Sequence, residues 1–237
     1  MSRSCGESTC LLFKVSKNND RFIEAFVRIP FKKITLIQPK TVGFVRSTKL
    51  ITAILIHGNG GCKPTDNWFP YLKRELEKVG IKTEAPQFPD ADLARASYWI
   101  PFLKDVLKAD DKTIIVGHSS GAIAAMRFAE KNQILGSVLV GAYHTDLGIE
   151  NEKLSGYFDT LWDWNAIKKN QKWIVQFAGV NDPWIPIDEA RYIHAKLNTD
   201  YHESMDQGHF GGDYYKETFP EAFEAIKAMI KIFPNVT

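Results

Sequence analysis

From residue 50 onward the chain alternates short apolar runs with longer stretches in which apolar residues recur every three or four positions. The short runs cover residues 50–56, 81–87, 113–116, 137–140, 173–178 and 201–205. Each is brief and mostly apolar, the pattern of a strand buried on both faces of a parallel sheet. Between them, residues 68–79 place Phe69, Leu72, Leu76 and Val79 on one helical face, and residues 220–232 do the same with Phe223, Ile226, Met229 and Ile230. Pro101 interrupts the helical stretch 95–107 and predicts an early turn or a kink there. Strands alternating with amphipathic helices predict an α/β domain over residues 50–237, with a mostly parallel central sheet and helices on both faces.

The first 49 residues fit this scheme poorly. Residues 22–29 and 33–37 predict a hairpin added to the sheet, and residues 1–20 are expected to be disordered, so 1–49 reads as a partly disordered N-terminal extension.

Candidate chemistry begins at Gly117-His118-Ser119-Ser120-Gly121, which directly follows the run 113–116 and directly precedes the helix-forming stretch 122–130. Strand, tight turn and helix are the context of the G-x-S-x-G nucleophile elbow in the α/β-hydrolase fold. Glycines on either side let strand and helix approach closely while the turn lifts a hydroxyl above the sheet. Ser119 is the candidate nucleophile, for ester, thioester or amide cleavage through an acyl-enzyme. The plainer alternative is a Gly-Ser turn whose serine caps the helix. Ser120 would begin the helix, and His118, pointing away from Ser119, should pack beneath the turn.

In this fold the acid and then the histidine follow the serine in chain order. His209 comes after the run 201–205 through the polar turn Asp206-Gln207-Gly208 and is the candidate base. Asp182 comes after the run 173–178 through Gly179-Val180-Asn181 and is the candidate acid. Asp146 and Asp206 remain rivals, and Asp182 could instead cap a helix starting near Ile187. The loop His57-Gly58-Asn59-Gly60-Gly61 would free backbone N–H groups for an anion, and it lacks the Gly-Lys-Ser/Thr ending of a phosphate loop. An oxyanion hole from the amides of Asn59 and Ser120 is the expectation. Trp184, two residues past Asp182, and Tyr157 with Phe158 are expected pocket walls.

Composition narrows the picture further. With 44% hydrophobic and 24% charged residues the chain is of ordinary globular type. Lys and Arg outnumber Asp and Glu ten to three up to residue 50, a charge of +7, and are outnumbered twenty to twenty-five beyond it, a charge of −5. A mildly acidic body without a basic stripe argues against nucleic-acid binding. No apolar run approaches the roughly 18 residues of a membrane span, and Leu11-Leu12-Phe13 is too short for a secretory signal. A soluble cytoplasmic enzyme is expected; the basic N-terminal excess admits a mitochondrial leader, against which Glu7, Asp20 and Glu24 argue. Cys5, Cys10 and Cys62 form neither a metal-ligand spacing nor a disulfide framework, so no metal and no cofactor is expected.

Several stretches together resemble the retinoblastoma-binding protein 9 family of serine hydrolases. They are Gly58-Asn59-Gly60-Gly61, the segment KTIIVGHSSGAIAAM at 112–126, Asp146-Leu147-Gly148 with Glu150-Asn151-Glu152, Ser155-Gly156-Tyr157-Phe158, Ile174-Val175-Gln176-Phe177, Asp182-Pro183 and Gly208-His209-Phe210. The resemblance runs from about residue 50 to about residue 234 and leaves out the N-terminal extension. It implies an α/β-hydrolase without a lid domain and a triad of Ser119, Asp182 and His209. It also implies small ester or amide substrates, including aminopeptidase-like cleavage. The family's Leu-x-Cys-x-Glu motif for a retinoblastoma pocket protein falls on Leu107-Lys108-Ala109-Asp110-Asp111, which has neither the cysteine nor the glutamate, and this puts that partner in doubt. Against the enzyme stands a non-catalytic scaffold of the same fold; a lipase, thioesterase or acyltransferase would use the same machinery.

Overall fold

The computed structural model describes residues 10–17, 21–28, 50–212 and 215–233. By backbone contacts the chain divides into two compact units, Met1–Ser47 and Thr48–Thr237. In the first, β1 (Cys10–Lys17) pairs antiparallel with β2 (Arg21–Arg28) as a two-stranded sheet of its own. Two expectations are corrected. β1 falls within the stretch expected to be disordered, and β2 takes the segment before it as its partner; residues 33–37 lie outside the described residues. Leu11, Phe13 and Val15 recur with the two-residue period of a strand, a signal diluted by the polar residues around it.

The second unit runs β3 (Thr52–Ile56), α1 (Phe69–Lys78), β4 (Lys82–Glu84), α2 (Ala96–Pro101), β5 (Thr113–His118), α3 (Ser120–Ala129) and β6 (Gly136–Val140). It continues through α4 (Glu150–Leu154), α5 (Trp164–Lys169), β7 (Trp173–Gly179), α6 (Ile187–Leu197), β8 (Asp200–Ser204) and α7 (Pro220–Ile232). The six strands lie in the order β4-β3-β5-β6-β7-β8, and every pairing is parallel. β4 is shorter than expected because Pro86, with no N–H to donate, follows two residues later. After Pro101 the chain adopts a π-helical turn over Phe102–Val106, closed by the Leu107 amide on the Phe102 carbonyl.

Alternation along the strands feeds two apolar layers. Ile54, Ile56, Ile115, Leu139 and Ile174 point to the side packed by α2, α3, α5 and α6. Ala53, Leu55, Ile114, Val116, Val138 and Val175 point to the side packed by α1 and α7. Each fully buried Leu or Ile contributes about 1.5–3 kcal/mol over its exposed state, so the sheet is held from both faces. Only the short helices α4 and α5 separate β6 from β7, and no lid domain is present among the described residues. Nor is any described helix long and apolar enough to cross a membrane. Because β4 lies on one side of β3 and β5 on the other, the loops after β3 and β5 diverge at a topological switch point, where open α/β sheets leave a crevice at their carboxyl ends.

Candidate active site

Ser119 stands between β5 and α3 with φ 55° and ψ −123°, a conformation costly for a residue bearing a side chain. Its side chain makes no capping bond to α3, so the helix-cap alternative fails. The flanking glycines are required by distance. A Cβ on Gly117 would sit 2.2 Å from the Gly121 carbonyl oxygen, and one on Gly121 would sit 2.4 Å from that of Ile56. Gly117→Ala should therefore destabilise the fold by about 3 kcal/mol or more, since backbone cannot move aside as a side chain can. Denaturant unfolding measures this, and wild-type stability would refute the close approach.

His209 follows β8 on a loop fastened at three points. The Gly208 amide donates to Asn181 Oδ1 at 2.8 Å, Trp68 Nε1 donates to the Phe210 carbonyl at 2.7 Å, and His118 Nε2 donates to the carbonyl of His209 itself at 2.7 Å. Burial, with the His209 charge next in effect, pushes the His118 imidazole down to about 3. His118 is thus a neutral brace that turns its N–H toward the loop. Sequence reasoning placed it beneath the turn but missed this contact.

Nδ1 of His209 lies 2.6 Å from Asp182 Oδ2. The other carboxylate oxygen accepts from the amides of Trp184 at 2.8 Å and Ile185 at 3.0 Å. Burial alone would raise the Asp182 carboxyl, but the His209 hydrogen bond and charge, together with these two amides, hold it below the usual carboxylate range. Asp182 therefore shapes the turn ahead of α6 and does not cap the helix. The rivals point elsewhere: Asp146 accepts from the Gly148 amide, and Asp206 from Gln207.

A cavity of about 790 Å³ opens at this edge of the sheet, and Ser119, His209, His118, Asn59 and Trp184 are among the residues lining it. Gly58 closes tightly on the elbow, with its would-be Cβ 3.3 Å from Ser119 Cβ. The amides of Asn59 and Ser120 donate to no protein group among the described residues and remain available to an anion. His57, buried beneath the loop, donates from Nδ1 to the Gly58 carbonyl and accepts the Phe88 amide on Nε2, which fixes the loop's entry. Cys62 is a free thiol, and no described cluster of three His, Cys, Asp or Glu residues could hold a metal.

Two expected pocket walls are corrected. Tyr157 is 1% exposed in the core, and Phe158 packs against Tyr143 and Trp162; neither lines the cavity. Aromatic content identifies a large apolar surface without saying which side of a wall it forms. Leu147 and Ile149, from the loop after β6, line the cavity instead.

That loop is fastened by Glu189 on α6, which accepts from the amides of His144 at 2.7 Å and Thr145 at 3.1 Å and from the Thr145 hydroxyl at 2.6 Å. Burial opposes the charged form, but the bonds from His144 and Thr145 outweigh it and hold Glu189 down to about 2. A depressed folded value means stability that is fully present above the ordinary carboxylate value and lost as pH falls from there toward 2. Unfolding curves between pH 6 and 2 should be steeper on the acid side for wild type than for Glu189→Gln; equal slopes would remove Glu189 from that role.

A model of the serine hydrolase family matches residues 53–228. The chain is 41% identical over 180 residues to the serine hydrolase RBBP9 of Rattus norvegicus, an alignment spanning 75% of this chain and 95% of that protein. Among solved structures, the ydeN gene product of Bacillus subtilis superposes with a TM-score of 0.70 at 22% identity, covering 76% of this chain and 99% of its own. Est1E of Butyrivibrio proteoclasticus with ferulic acid bound gives 0.61 at 15% identity, covering 78% and 90%.

Proposed function

On the premise that the chain belongs to the serine hydrolase family, we propose that it cleaves small ester or amide substrates through an acyl-enzyme on Ser119. The contact of Asp182 with His209 at 2.6 Å, on the cavity that Ser119 also lines, carries this reading. Asp182 keeps the imidazole proton on Nδ1, which leaves Nε2 free to take the Ser119 proton as Oγ attacks the carbonyl carbon. The carbonyl oxygen becomes an oxyanion facing the amides of Asn59 and Ser120, each such donor being worth about 3 kcal/mol in the transition state. Collapse expels the leaving group, which takes its proton from His209; water, deprotonated by His209, then releases the acid and restores Ser119.

A narrower choice within this reading is an aminopeptidase-like preference. Asp66 and Glu152 line the cavity, and no Lys or Arg is among its lining residues. Such a field favours a substrate bearing an ammonium group over one bearing a carboxylate. Initial rates on p-nitrophenyl acetate, free aminoacyl p-nitroanilides and their N-succinyl counterparts test both levels. Ester turnover with a free-amine preference is expected; no turnover of either the ester or the anilides would overturn the enzyme reading. Labelling by a fluorophosphonate should map to the Ser119 peptide, and a label elsewhere would reject the nucleophile.

A further inference from the structure

In the wall of the cavity a chain of hydrogen bonds joins residues that are distant in sequence. Glu152, on α4 and 6% exposed, accepts from Asn59 Nδ2 at 2.7 Å on Oε1 and from the Tyr143 hydroxyl at 2.6 Å on Oε2. The Tyr143 oxygen lies 3.2 Å from Ser120 Oγ. Tyr143 has one proton and gives it to Glu152, so the Ser120 hydroxyl donates to Tyr143. Burial, with the Glu152 charge adding to it, pushes the Tyr143 phenol well above its usual range and keeps that proton in place.

The ends of this chain are Asn59 and Ser120, the two residues whose main-chain amides the proposed mechanism turns toward the oxyanion. Asn59 lies on the loop after β3 and Ser120 opens α3; sheet pairing and the packing of Gly58 on Ser119 bring the two near each other, and beyond Gly58 the Asn59 side chain is held by Glu152. Donors contribute to catalysis when they already stand about 2.7–3.1 Å from where charge will develop, and misplacement by about 1 Å costs on the order of 100-fold. A carboxylate between two donors makes shorter and stronger bonds than a neutral group would. Among the described residues no Lys, Arg or His pairs with it, and burying a charge in that way costs more than a contact that only fills space would return.

We infer that Glu152 and Tyr143 are positioning residues, which tie the Asn59 loop to the Ser120 end of α3 and so hold the oxyanion donors at a set spacing before substrate arrives. The inference rests on the proposed roles of Ser119, Asn59 and Ser120. It requires that loss of the tie weaken the transition state more than the ground state.

The test compares Glu152→Gln and Tyr143→Phe with wild type in hydrolysis of p-nitrophenyl acetate, which carries no ammonium group for Glu152 to attract, in thermal unfolding and in inhibition by a trifluoromethyl ketone, which forms a tetrahedral oxyanion on the serine. Glutamine turns an NH2 against one of the two donors, and phenylalanine removes both Tyr143 bonds, to Glu152 and to Ser120, while leaving Asn59 on Glu152. The expected result is a fall in kcat of about 10- to 100-fold with KM within about threefold, and a weakening of the ketone by the same factor as kcat/KM. Wild-type kcat and ketone affinity in both variants would overturn the inference. So would equal losses in kcat and melting temperature with ketone affinity unchanged, the mark of a merely structural contact. If Glu152→Gln does not fold, Tyr143→Phe decides by the same readouts. Ser119→Ala separates the layers: its inactivity beside fully active positioning variants overturns only the tie, whereas an active Ser119→Ala overturns the assignment beneath it.

Discussion

Ser119→Ala is expected to lower kcat/KM for ester hydrolysis by at least about 10⁴-fold while leaving the fold intact, since serine triads lose about that much or more when the nucleophile goes. The side chain caps nothing in α3, so its removal costs the helix no capping bond. Alanine also tolerates the elbow conformation no worse than serine does. The variant should melt within a degree or two of wild type and still bind substrate, because the cavity walls and the proposed anion-facing amides of Asn59 and Ser120 are untouched. Steady-state kinetics with a titration of active sites checks the loss. A residual rate within about tenfold of wild type would move the nucleophile to another residue, and Ser120, bonded to Tyr143 and 1% exposed, is poorly placed to inherit it.

How far the sequence announces this site depends on the kind of signal each part carries. The four central strands, β3, β5, β6 and β7, are legible because burial on both faces makes them nearly continuous apolar runs, and the two-layer alternation of Ile54, Leu55 and Ile56 follows directly; the edge strands β4 and β8 are polar and only partly buried. The elbow is legible because its glycines are demanded by backbone contacts below 3 Å, which no other residue satisfies. Chain order then points to Asp182 and His209, and the coordinates bring that pair together. Other parts carry no local signal. Glu152 sits in a five-residue helix and meets Asn59 across ninety-three positions, a relation that no periodicity records. Tyr157 and Trp184 look alike as aromatics near a loop, yet one is buried in the core and the other stands 56% exposed at the cavity. In the first unit the strand pattern of three alternating residues is outweighed by polar neighbours, which leaves β1 without a clear signal in the sequence.

Asp182→Asn should be nearly as damaging to catalysis, by about 10⁴-fold in kcat, and for a reason visible in how the two carboxylate oxygens are used. One oxygen faces two backbone N–H groups, those of Trp184 and Ile185, and the other faces a single ring nitrogen of His209. An asparagine must choose which side receives its NH2. Turning it toward the two amides would set three donors against one another, so the amide oxygen takes that side and the NH2 faces His209 Nδ1. The imidazole can then meet a donor only by placing its own proton on Nε2, the nitrogen that has to accept from Ser119. The turn stays intact, which predicts a small change in stability beside a large change in rate. Asp182→Ala, by contrast, deserts the Trp184 and Ile185 amides and should cost about 1–3 kcal/mol of stability as well as activity. Thermal unfolding and kcat measured together on the two variants distinguish these outcomes. If asparagine supports turnover near the wild-type rate, His209 does not act as the base through Nε2, and the relay through Asp182 is wrong.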